Sequence, residues 1–216
     1  MGYDPDTQLG GSSARFPTTH PSLLEQSRNG PEALGQILER YWKPVYKYIR
    51  MRWGHGNEEA KDLTQGFFTV LLERDLIEKF DSNRASFRTY LRTCIDGFVK
   101  NQRESVARIK RGGGVPIQSL DFEGVENEIA ATSLSPEEYF ERECQRENFT
   151  AAVEALKQKC GQSGKSVHWQ IFQAYDLADG ARPAYEELAH RHGIPVTTVT
   201  NYLAWARREL RRRLEP

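Results

Sequence analysis

The chain has 216 residues, 38% of them apolar, enough for one large or two small cores, and its 30 basic and 30 acidic residues leave no formal net charge. That balance argues against a non-specific polyanion binder. The three scattered cysteines argue against a disulfide framework or zinc knuckle, and the apolar window Gly66 to Leu72 is far shorter than the roughly 20 residues of a membrane span. With no basic-then-apolar leader pattern, the expected location is cytoplasmic, with no membrane involved.

The neutral total conceals segregation. Arg88 to Arg111 holds seven basic and two acidic residues, Asp121 to Glu147 nine acidic and two basic, and Arg182 to Glu215 seven Arg and four Glu. Two basic patches therefore flank an acidic stretch.

In chain order, residues 1–22 lack apolar periodicity and are expected to form a disordered tail. Asn29-Gly30-Pro31 starts a helix carrying Leu34, Ile37, Leu38, Tyr41, Trp42, Val45, Tyr46 and Ile49 on one wide stripe, with Pro44 as an expected kink. A second helix from near Glu58 aligns Ala60, Leu63, Phe67, Val70 and Leu71. A third aligns Phe87, Tyr90, Leu91, Cys94 and Phe98. These three make a first domain over residues 23–110. From 111 to 134 the periodicity fails among Gly, Pro and acidic residues, which predicts a flexible acidic linker. Ser135-Pro136-Glu137-Glu138 is a capping box that opens a long helix to about Lys159. Helices over 168–177, 184–191 and 197–214 complete a second domain, 135–216. No segment alternates as a strand does, so the predicted class is all-α with two small helical domains.

The chemistry-bearing motifs are few. "GQSGKS", Gly161 to Ser166, ends like a phosphate-binding loop, but the first glycine of that pattern is replaced by Lys159 and no strand precedes it. His168, His190, His192 and Cys160 lack the spacing of paired metal ligands. Neither a catalytic residue, a metal site nor a cofactor is expected. The pattern with most support is a helix-turn-helix. Leu188 and Ala189 lie in its first helix, Gly193 at the turn position that favours a left-handed backbone, and Ile194, Val199 and Leu203 in the core; His192 stands where an apolar residue is usual. Ala206, Leu210 and Leu214 continue the inward face. Thr197, Thr200, Asn201, Ala204 and Arg208 are left outward.

Two blocks together resemble the bacterial RNA polymerase sigma factors of the extracytoplasmic-function (ECF) class, in the sigma-70 family. "YEELAHRHGIPVTTVTNYLAWARRELRRRL" is similar to region 4, which reads the minus-35 element. "LGQILERYWKPVYKYIR", "EEAKDLTQGFFTVLLE" and "FDSNRASFRTYLRTCIDGFVKNQRE" are similar to region 2, which binds the polymerase clamp and opens the minus-10 element. The resemblance implies minus-35 contacts by Thr197, Thr198, Thr200, Asn201, Ala204, Arg207, Arg208 and Arg211. It implies minus-10 contacts by Arg84, Ser86, Arg88, Tyr90, Arg92, Lys100, Asn101 and Arg103, and a clamp contact by Lys61, Asp62, Thr64 and Gln65. The implied partners are core RNA polymerase, through its clamp coiled coil, and promoter DNA, with room for an anti-sigma factor or another regulator. The free chain is expected to be a monomer, since no sustained heptad supplies a dimerisation helix. Where the family often has Ala-Arg-Asn in region 2, this chain has Ile95-Asp96-Gly97. Where its reading helix often has Lys and Arg, this chain has Thr200, Tyr202 and Trp205. An upstream element less directed to guanine is therefore expected, with weak DNA binding by the isolated second domain. The alternative reading is an autonomous helix-turn-helix regulator acting without polymerase.

Overall fold

The computed structural model describes residues 31–109 and 132–214, so the expected tail and most of the expected linker lie outside the described residues. The described residues form seven α-helices and one π-helical segment, with no strand among them. The helices are α1 (Pro31–Trp53), α2 (Asn57–Glu73), α3 (Phe87–Ile109), α4 (Pro136–Gln162), α5 (Ser166–Phe172), α6 (Tyr185–His192) and α7 (Val196–Leu214). The π-helical turn Gln173–Leu177 continues α5. No described helix is long and apolar enough to cross a membrane. Contacts divide the described chain into two compact units, with the boundary between Asn148 and Phe149.

In the first unit the stripe foreseen along α1 is the core. Ile37, Tyr41, Val45 and Ile49 are essentially fully buried against Phe67 and Leu71 of α2 and Phe87, Leu91 and Ile95 of α3. The helix runs through Pro44 without a break in its assignment. Edge-on ring pairs knit the layers, Tyr41 with Phe87 at 5.3 Å and Phe67 with Phe98 at 5.8 Å between centroids. Phe80 and Ile77 close the core from the α2–α3 connection. Gly66 allows the approach of α2 to α3, since a Cβ there would meet Phe98 Cζ at 3.2 Å.

The first half of α4 belongs to this unit, not to the second domain as the sequence predicts. Tyr139, Phe140 and Cys144 are buried, with Phe140 edge-on to Tyr48 at 5.3 Å. Four ion pairs accompany them, Lys47–Glu143 at 2.7 Å, Arg88–Glu141 at 2.9 Å, Lys43–Glu147 at 3.6 Å and Arg52–Glu137 at 3.7 Å. The pairs 43–147 and 47–143 step by four residues in opposite directions, the ladder of an antiparallel helix pair. The capping box forms as predicted. Ser135 N–H donates to Glu138 Oε2 at 2.9 Å, and Glu138 N–H donates to Ser135 Oγ at 3.2 Å. The Ser135 backbone bond, followed by the hydroxyl bond, holds the Glu138 carboxyl below its ordinary value.

The second unit wraps the rest of α4 (Ala152, Leu156, Cys160), α5 (Ile171, Phe172) and α6 (Leu188) around α7 (Val199, Leu203, Ala206, Leu210). Ala152, Leu156 and Cys160 recur every four positions, each step only 40° beyond a full turn at 3.6 residues per turn, so they share one face of α4. One helix thus supplies residues to both cores.

Candidate nucleic-acid and polymerase interface

The helix-turn-helix forms where its residues predict. Gly193 has φ +64°, the left-handed region, and caps α6 with its N–H bonded to His190 O at 3.3 Å, while Ile194 N–H reaches Ala189 O at 3.0 Å. That pair of bonds is a Schellman ending. His192 is half-buried, so the turn tolerates imidazole where an apolar group is usual.

Along α7, Thr197, Thr200, Asn201 and Arg208 are exposed, and Thr198, Ala204 and Arg211 are half-buried. Arg207 departs from expectation. It is 3% exposed and forms a two-pronged ion pair with Asp176 of the π-helical turn, Nε to Oδ2 at 2.9 Å and Nη2 to Oδ1 at 3.0 Å. Burial by itself lowers the Arg207 pKa, but the Asp176 bonds and charge outweigh it and the net shift is upward. Its guanidinium is committed to the interior and unavailable to a phosphate. Arg207 lies 80° from Val199 around the helix, at the edge of the apolar face, where the periodicity leaves its direction open. Arg212 and Arg213 both reach Glu209, at 3.2 and 3.1 Å, beside Lys159 at 2.6 Å. Arg208 stays outward, and among the described residues it forms no ion pair closer than 4 Å.

The flank of α7 toward α5 is aromatic. His168 stacks on Tyr202 with centroids 3.5 Å apart and lies edge-on to Trp205 at 5.2 Å, and Lys165 sits over the Trp205 ring at 5.0 Å. Desolvation first, then the Lys165 charge, lowers the His168 pKa. Tyr202 and Trp205 therefore brace α7 against α5.

In the first unit, Arg84, Lys100, Asn101 and Arg103 are exposed and Ser86, Tyr90 and Arg92 half-buried. Arg84 is tethered to Asp81 at 3.4 Å. Ser86 Oγ accepts the Thr89 N–H at 3.2 Å and opens α3. Arg103 lies over the Trp53 ring at 4.8 Å and donates to Trp53 O at 2.6 Å. Arg88 is the second departure: it is 2% exposed and paired with Glu141, so it serves the packing of α4. The Tyr90 phenol donates to Leu76 O at 2.8 Å, and burial first, then Cys94, pushes its pKa up to about 12. Its ring edge, not its hydroxyl, is what it can offer a base. Asp96 faces inward, accepting from Tyr48 Oη at 3.2 Å and from Trp53 Nε1 at 3.1 Å. A cleft of about 400 Å³ between α2 and α3 is lined by Phe67, Thr93, Gly97, Phe98 and Asn101.

On α2, Asp62 and Gln65 are exposed. Thr64 and Lys61 are not available in the way the resemblance implies. Thr64 is fully buried with its hydroxyl on Ala60 O at 2.6 Å, and Lys61 is 7% exposed with its amine on Glu58 at 3.1 Å. The exposed stripe instead continues through Glu58, four residues before Asp62, and Thr69 and Leu72, four and seven after Gln65, spacings that could have revealed them. Leu72, at 39% exposure, gives the stripe an apolar end.

No curated protein matches the chain. The family model "ECF sigma factor" matches residues 18–216, both units included. The chain therefore belongs to the ECF sigma factor family, DNA-binding factors of transcription initiation whose partners are core RNA polymerase and promoter DNA.

Proposed function

We propose that this chain recruits core polymerase through the exposed stripe of α2 and reads a promoter at two points, upstream with the outward face of α7 and at the minus-10 element with the α3 surface. The observation that carries this reading is the exposed, uncharged face of α7 from Thr197 to Asn201, held by a closed turn and followed by Arg208. A helix-turn-helix reads base edges with the first turns of its second helix and grips phosphates farther along, which is the order of residue types here. In the first unit Arg74 and Asn101 line the α2–α3 cleft with Phe67 and Phe98, and Lys100 and Arg103 are exposed on α3 outside that lining. An aromatic floor with a basic rim suits unpaired bases. Binding the opened strand better than the duplex offsets an unstacking cost of roughly a few kcal/mol per extruded base, so melting needs no catalytic centre in this chain. The place of action is the cytoplasm, where polymerase works.

The test is run-off transcription by core polymerase over a promoter library, with and without the full chain. The reading expects transcripts that require both. Tight binding to a palindrome with no dependence on core would replace it with an autonomous regulator.

A further inference from the structure

Among the described residues two large apolar side chains stand exposed, Leu72 and Val196, the latter at 38%. Val196 is the first residue of α7, one turn before Thr200 on the same flank. The part of an apolar side chain left in water at the leading end of α7 gains nothing from that exposure. Thr200 points the same way chemically. It is exposed, and its hydroxyl leans back to Val196 O at 3.5 Å, leaving its methyl group for the outward surface. Ala204 adds a third methyl one turn further on.

The cations that would favour guanine are missing from this stretch. No Lys or Arg lies between Val196 and Asn201, Arg207 is locked on Asp176, and Arg208 stands about three turns from the helix start. Guanine is read chiefly by Arg or Lys on O6 and N7, whereas the C5-methyl of thymine is the one apolar group in the major groove. Resting on the reading of α7 above, we infer that Val196 is a specificity-determining residue, packing its isopropyl group on the C5-methyl of a thymine in the upstream element with the Thr200 methyl beside it.

The test removes that methyl alone. Holoenzyme made with the full chain is first used to select its preferred upstream element from a random library. Each thymine of the selected element is then replaced by deoxyuridine, which pairs identically, and run-off is measured at limiting holoenzyme. One position is expected to lose about fourfold on losing its methyl. With Val196→Ala the thymine-to-uracil ratio at that position should fall toward one, and Val196→Ile should restore it. Both substitutions are at an exposed site, and unchanged thermal melting verifies the fold. Equal use of thymine and uracil at every position overturns the inference while leaving the promoter reading intact, as does a full thymine preference retained by Val196→Ala. Absence of run-off from every promoter overturns both.

Discussion

Arg207 and Arg208 are neighbours in sequence and opposite in role. Arg207 spends its charge on Asp176 inside the second unit, so Asp176→Asn should leave a buried guanidinium without its counter-charge and cost about 3–5 kcal/mol, seen as a lower urea midpoint of the full chain. Arg208→Ala should leave that midpoint unchanged. It should instead weaken holoenzyme binding to all promoters alike and lower the slope of log affinity against log salt by about one. If the two variants exchanged phenotypes, the assignment of the two guanidiniums would be reversed. Glu209 is the acid-sensitive residue of the same helix. Its bond from Lys159, then that from Arg213, holds its carboxyl below the ordinary 4.5 despite partial burial. A carboxyl depressed in the folded state contributes stability above its unfolded pKa and loses it as pH falls through the folded value. Glu209→Gln should therefore reduce stability at neutral pH and flatten its decline below about pH 4.5, measured by denaturant melts across that range.

Among the elements, α4 and α2 make the clearest demands. The first half of α4 is fastened by Lys47 and Glu143, both essentially buried. Glu143→Gln should cost about 3–5 kcal/mol by stranding the lysine, whereas Lys47→Met with Glu143→Leu should come close to the parent, because desolvation offsets much of a buried pair's attraction. Equal losses in the single and double variants would show that packing of Phe140 and Cys144, not charge, governs the docking. On α2 the contrast is between surface and interior. Asp62→Ala and Gln65→Ala should each raise the core concentration needed for half-maximal run-off several-fold with melting unchanged, as expected when one interface group worth about 1 kcal/mol is lost. Thr64→Val should leave that concentration where it was. Its hydroxyl is already spent on Ala60 O and presents nothing to a partner.

At the scale of the whole molecule, one helix, α4, contributes side chains to the cores of both units. Their helices, the capping box, the left-handed Gly193 and the inward face of α7 were legible in the residues because each rests on local chemistry: apolar periodicity, a side-chain oxygen three residues from an N–H, a missing Cβ. The exposed Thr197, Thr200 and Asn201 were legible for the same reason, since they lie opposite an unambiguous stripe. The fates of Arg88, Arg207, Lys61 and Thr64 were not. A long cation at the border of an apolar face can reach water or an interior carboxylate with equal ease. Its direction depends on partners such as Asp176 and Glu141, which lie 31 and 53 residues away in sequence. The end of the first unit was hidden likewise, because the acidic residues after Pro136 look the same whether water or Lys47 neutralises them. Local pattern thus determined which helices form and which face of each is apolar. Only the tertiary structure decided which charges are used up in holding the helices together and which remain at the surface, because ion pairing between distant residues leaves no period in the sequence.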